Sequence, residues 1–303
     1  MRCSNAARTA ALCALLCAGL VNAQRVQPNH DKTFWRGIAK NHYDVPSGES
    51  AAELSQELSQ LLGSPDPELR DDLAYSIFAY WIGRLSLLPQ ERLVALTDEW
   101  RGNLKSGLGE TGTDSVLKRS FSALCLSLMA EREAQQPFLG ESEYHALVAD
   151  AVAYLQAEHD LRGYDAKLGW IHATAHTADL LQALARSQLL SRNEQTAILS
   201  AIAARLSSSP DVYTQGEQDR LAQAVIAVIR RPDFDTHSFE IWLGAVRDED
   251  KNVWDNPLTP EILARYQNHT YMLQALAIRL ALEPESARTS EYQKQVLAIL
   301  RAR

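Results

Sequence analysis

Ser191-Arg-Asn-Glu194, with the run Gln195-Thr-Ala-Ile-Leu-Ser-Ala-Ile-Ala-Ala-Arg-Leu206 behind it, reads as a helix from end to end. Ser191 can accept the backbone N–H three residues on while Glu194 reaches back to the cap, and Pro210 stands beyond the run, where it cannot continue a helix. The same punctuation recurs outward from this stretch. Ser50 to Glu53 spells a capping box before a run that stops at Gly63, and Asp66-Pro67 sets an N-cap and an N1 proline before a run from Leu69 to Leu85. Further helices are predicted at Gln90–Leu104, Ser115–Gln135, Ser142–Ala157, Trp170–Arg186, Arg192–Leu206, Glu217–Arg230, Thr236–Val246, Pro260–Ala281 and Glu291–Leu300, with Pro89, Pro210 and Pro232 between runs. No segment sustains two-residue alternation with turn dipeptides, so no sheet is expected. The fold class is therefore all-α. Helices of this length on short links pair as antiparallel hairpins, and no fixed-period repeat stands out, so the expected architecture is an irregular α-superhelix of antiparallel helix pairs, HEAT-like. The alternative is a closed α/α toroid. Either shape has a concave face on which a binding surface would lie.

The first 23 residues read as a signal peptide. Arg2 and Arg8 supply the basic region, Ala10 to Leu20 the apolar region, and Val21-Asn22-Ala23 a small-x-small cleavage site, so the mature chain is expected to begin at Gln24. Leu12 and Leu16 precede Cys13 and Cys17, where a lipoprotein signal would want a small residue. The remaining 24–303 are expected to form a single all-helical domain, exported to the periplasm or secreted, with no stable membrane insertion. Cleavage leaves Cys125 as the only thiol of four, which excludes an intrachain disulfide and reads as a buried, inert cysteine in an apolar helix. The chain carries a formal charge of −8, and losing Arg2 and Arg8 makes it more acidic still, so nucleic acid and anionic membranes are poor partners. The Asn268-His269-Thr270 sequon matters only in a host that glycosylates exported proteins.

One segment carries residues suited to chemistry: Gly169-Trp-Ile-His-Ala-Thr-Ala-His-Thr-Ala-Asp-Leu-Leu181. At about 100° per helical residue, His172, His176 and Asp179 project from one face, edged by small residues that permit close approach. Three uses compete for that stripe: a structural hydrogen-bond network, a ligand groove, or a metal site. Imidazoles one turn apart can share a zinc ion, with Asp179 as third ligand and Glu217, Asp219, His237 or His269 as a fourth. No cofactor is expected, although a divalent metal is possible on His172, His176 and Asp179. The residue after His172 is not glutamate, so the general base of a zinc peptidase is missing. Trp170 adds an aromatic plate, Glu217 and Asp219 sit in a helix first turn where the dipole favours carboxylates, and Arg220 could fork onto Asp179 or Asp160. The candidate groove is thus Trp170, His172, His176, Asp179, Glu217, Asp219 and Arg220. No nucleophile elbow, phosphate loop or Cys-x-x-Cys pair is present. A glycosidase would want two carboxylates in an aromatic cleft, and Tyr75, Tyr80, Trp81, Tyr154, Tyr164 and Trp170 are available, though core packing explains most of them.

Five segments in order, Ser64-Pro-Asp-Pro-Glu-Leu-Arg-Asp-Asp-Leu-Ala-Tyr75, Arg119-Ser-Phe-Ser122, Asp160-Leu-Arg-Gly163, Gly169 to His176 with Asp179, and Gly216-Glu-Gln-Asp-Arg-Leu-Ala222, resemble the signatures of the domain-of-unknown-function 2785 family. The resemblance spans about Phe34 to Leu280 and implies an all-helical, HEAT-like bacterial protein. His159 departs from the arginine expected before Asp160. No activity comes with the resemblance. The expected role is a binding or scaffold module for an unknown protein or small-molecule ligand, with a metal-assisted hydrolase or glycosidase on the His/Asp stripe as the alternative.

Overall fold

The computed structural model describes residues 30–303 apart from Asn256 and Glu285; the leader read at residues 1–23 lies outside the described residues. The fold is all-α, with one two-stranded exception. The helices are α1 (Lys32–Lys40), α2 (Ala51–Leu61), α3, α4 (Gln90–Asn103), α5 (Ser115–Gln135), α6 (Glu141–Ala157), α7 (Ala173–Leu184), α8 (Arg192–Ser208), α9 (Glu217–Ile229), α10 (Thr236–Glu249), α11 (Pro260–Leu282) and α12 (Ala287–Ala302). A single 3₁₀ turn, Val253–Asp255, precedes α11. Helix α3 is wound in three parts, a π-helix at Glu68–Tyr75, an α-turn at Ser76–Phe78 and a second π-helix at Ala79–Arg84.

The caps explain most boundaries. Ser191 accepts the Glu194 N–H at 3.4 Å while Glu194 Oε2 accepts the Ser191 N–H at 2.8 Å, closing the expected box at α8. Asp66 Oδ1 takes the Glu68 N–H at 3.0 Å and so starts α3 as its sequence implied. The box expected at Ser50 is not formed. Helix α2 begins there on backbone bonding alone, Leu54 N–H to Ser50 C=O at 2.9 Å, with Glu53 exposed. Helix α1, capped by Asp31 and burying Trp35 and Ile38 on one face, is an addition to the expected set; its nine residues are too few for the periodicity to stand out from the flanking chain.

The helices lie in two rows. Helices α5, α7, α9 and α11 pack side by side, as do α4, α6, α8 and α10. Cross-links fix their direction. His176 of α7 meets Ser120 of α5 near both N-termini, and Arg186 just past α7 meets Glu131 near the end of α5, so these two run parallel. In the other row His145 meets Glu194 and Arg205 donates to the Leu155 carbonyl, making α6 and α8 parallel too. Between rows the sense reverses: Tyr144 near the start of α6 donates to the Leu184 carbonyl at the end of α7, at 2.8 Å. One continuous apolar cluster runs between the rows from Trp35 to Val296 and includes the fully buried Phe121 and Cys125. Among the described residues no helix is long and apolar enough to cross a membrane.

The expected helix Trp170–Arg186 starts late. Strand β1 (Tyr164–Asp165) pairs antiparallel with β2 (Gly169–Trp170), Tyr164 opposite Trp170, so the absence of any sheet is corrected. Two left-handed residues cause the break, Gly169 at φ +70° and His172 at φ +52°. Asp165 fixes the turn by accepting the Lys167 and Leu168 N–H groups, both at 2.8 Å.

Candidate functional site

The hairpin sets Trp170 against His172 at the N-terminus of α7. His172 is the N-cap of α7, its N–H donating to the Arg162 carbonyl at 3.1 Å. A non-glycine residue held at φ +52° carries backbone strain, and it persists because its surroundings fix it. Its ring is stacked on Trp170, with centroids 4.7 Å apart, and lies 5.7 Å from the ring of His176. Trp170 in turn meets Tyr164 edge-on at 5.0 Å, and these two rings form an open rim, 38% and 55% exposed. Arg70 of α3 holds the hairpin from behind. Buried itself, it donates to the Ser64, Leu168 and Trp170 carbonyls and covers the Phe121 ring, 4.8 Å from its centroid.

His176 is seated by Ser120. The Ser120 hydroxyl donates to the Ile171 carbonyl, so its oxygen accepts from His176 Nδ1–H at 2.8 Å, and Nε2 keeps a lone pair. Among the described residues that lone pair has no partner. Burial drives the His176 pKa well below the usual histidine value, and the neighbouring His172, Arg220 and Arg70 push the same way. The imidazole is therefore neutral near pH 7.

Glu217, the first residue of α9, faces His172 with Oε1 3.3 Å from Nε2. The approach is misaligned for a hydrogen bond, which leaves the buried His172 Nε2 without one. Burial raises the Glu217 pKa, but the contact with His172 and the backbone N–H groups of Glu217 and Gln215 outweigh it and hold the carboxyl below its ordinary value. Gly163 sits against this carboxylate. A Cβ there would fall 2.8 Å from Glu217 Oε1 and 2.4 Å from Gln215 Cγ, so only glycine fits.

Asp179 lies further along α7, clamped by Arg220 Nη1, which reaches its two oxygens at 2.7 and 2.6 Å. Burial raises its pKa against the pull of Arg220. Of the seven candidate residues, six meet around the α7–α9 seam. Asp219 does not, because it points to α11 and pairs with Arg279 at 2.8 and 2.5 Å. Two residues apart on a helix means opposite sides, so Asp219 and Glu217 cannot share a face. His237 pairs with Glu240 on the surface, and His269 is buried against Asp250, so neither approaches the seam. Asp160, the other partner considered for Arg220, instead binds Arg162 and the Gly112 N–H. Among the described residues no three His, Cys, Asp or Glu side chains are placed to hold a metal ion.

The sequence reading places Tyr75 of α3 only among the aromatic rings and gives Asp71 no role at the site. Burial and the neighbouring Asp72 raise the Asp71 pKa, and Tyr75 is raised by burial with the charges of Asp179 and Asp71 acting on it. A groove of about 830 Å³ opens where α7, α9 and α11 end, and none of the seven candidates lines it.

A model of the DUF2785 family, described as proteins of unknown function, matches residues 104–278. The chain belongs to this family. The match takes in α5 to α10 whole and most of α11, and so includes Ser120, both histidines, Asp179, Glu217 and Arg220. No curated protein and no solved structure matches the chain.

Proposed function

We propose that this DUF2785 member is an exported binding module that takes a small ligand at the Trp170–His172–His176 centre. The seat offers a flat rim, Trp170 and Tyr164, and a hydrogen-bonding interior, His172, His176 and Glu217. The carrying observation is His172: it is more than nine-tenths buried and strained, with a ring nitrogen that makes no hydrogen bond, its neighbour Glu217 Oε1 lying 3.3 Å away out of line. A histidine serving only the core gains nothing from a strained backbone and a ring nitrogen left without an aligned hydrogen bond. Two rows of parallel helices suit a superhelix and a toroid alike, and the main contacts of α11 and α12 with α8, α9 and each other leave the rows open, in favour of the HEAT-like form, with 24–303 as one domain and the centre on its concave face. The Arg2-to-Ala23 pattern supports export, and N-terminal sequencing of natively expressed protein should begin at Gln24; an intact Met1 removes that part of the reading.

Ligand-observed NMR against small polar aromatic and sugar fragments tests the seat. At least one fragment should bind in wild type and be lost in both Trp170→Ala and His172→Ala. Binding by none, or equal binding in both variants, refutes the reading. Elemental analysis of protein purified without an affinity tag should find far less than one metal per chain. One tightly held divalent ion, lost in the His172→Ala, His176→Ala double variant, would replace the binding module with a metal-assisted hydrolase.

A further inference from the structure

We propose that the groove at the C-terminal ends of α7, α9 and α11 is a second binding site, for a small multivalent oxyanion carrying carboxylate or phosphate groups. It encloses about 830 Å³, a volume suited to a small ligand. Its wall carries Arg186, Arg230, Arg231 and Arg279 against the two carboxylates of Asp233 and Glu283, on a chain whose formal charge is −8. Each arginine has a carboxylate partner, Glu131 for Arg186, Glu283 for Arg230, Asp233 for Arg231 and Asp219 for Arg279, so recognition rests on the guanidinium N–H groups left over and not on a net positive field.

Helix C-termini ordinarily repel anions, because their last carbonyls point outward. At the end of α7 Arg231 offsets that repulsion. It is nearly buried and donates to the Ala185, Ser187 and Leu190 carbonyls at 2.7, 2.5 and 3.2 Å, which caps the end of α7. Arg279 is likewise committed, to Asp219.

Arg186 and Arg230 are different. Each is half-exposed and uses one nitrogen in an ion pair, Arg186 Nη1 with Glu131 at 3.3 Å and Arg230 Nη1 with Glu283. The other donors of both guanidinium forks have no hydrogen-bond partner among the described residues, and neither have the side chains of Gln182 and Gln188 on the same wall. Two forks from two helix ends suit two anionic groups on one molecule. The floor is aliphatic, Ala185, Ile226 and Ala227, and no aromatic ring lines the groove, so selection is by charge and shape rather than stacking.

Titration calorimetry of the full chain at low ionic strength, with citrate and with pyrophosphate as probes, tests the site and separates its sources. Saturable one-to-one binding of citrate alone assigns a carboxylate ligand, and of pyrophosphate alone a phosphate ligand. Arg186→Ala and Arg230→Ala should each weaken binding about tenfold or more, and their combination should abolish it. Trp170→Ala should bind the probe as wild type does, which keeps this site distinct from the aromatic seat. Failure of both probes to saturate at millimolar concentration overturns the proposal, as does wild-type binding by the double variant. Should the double variant not fold, Arg186→Gln alone carries the same test.

Discussion

The two ends of α7 are built on opposite plans. At its start His172, His176 and Ser120 are buried, hydrogen-bonded or stacked, and locked by a strained backbone. At its end Arg186 and Gln188 stand in water beside an open groove. The first end is tightly packed and open only along the Trp170–Tyr164 rim; the second is roomy and lined by long side chains. Unusual residues in a sequence thus mark where packing is demanding, while space for a ligand can be framed by residues common on any surface.

Substitutions should separate the two ends by stability. The largest loss belongs to Phe121→Ala, whose ring is fully buried against His176 and under Arg70; it should cost about 3–5 kcal/mol in denaturant unfolding. A loss below about 1 kcal/mol would make the first end as tolerant as the second and dissolve the contrast. Ser120→Ala comes next, at about 1–3 kcal/mol, because it strands both His176 Nδ1–H and the Ile171 carbonyl.

Acid should act on the same end. The folded-state pKa of His176 lies well below the usual value of 6.5, so below that value the unfolded chain binds the proton more readily. Its contribution is fully present above about pH 6.5 and is lost as the pH falls towards the folded value, with a slope of up to about 1.4 kcal/mol per pH unit. Glu217 adds a loss of the same sign at lower pH, while the raised carboxyls of Asp71 and Asp179 act the other way, losing stability as pH climbs through the carboxylate range. Thermal unfolding of His176→Gln should show a flatter profile between pH 7 and 5.5 than wild type; identical profiles would show that His176 does not carry the effect. The smallest change is expected at the far end, where Arg186→Ala and Arg230→Ala should stay within about 0.5 kcal/mol of wild type. If they cost as much as Ser120→Ala, the groove is a structural joint and not a free surface.

Much of the helical frame was legible because caps are local. Ser115–Gln135 is found to the residue, and the Asp179–Arg220 pair follows from two charges on neighbouring helices. The start of α7 was not legible. A left-handed glycine is readable from its residue type, but a left-handed histidine is not, and a ladder of two residues is too short to show a period. The π-winding of α3 is equally silent, since its residues are ordinary helix formers. The arginine groove escaped for a different reason: Arg186, Arg230 and Arg279 lie far apart in the chain and meet only because their helices run parallel.

Cys125 gives the central row a clock. It is the only cysteine among the described residues, wholly buried on α5, and burial pushes its thiol well above the ordinary range. Thiolate is the reactive form, so the folded chain should resist alkylation, disulfide exchange and oxidation alike. Each labelling event must wait for α5 to part from its neighbours, and the rate of modification by a small maleimide therefore counts how often this protein opens at its centre.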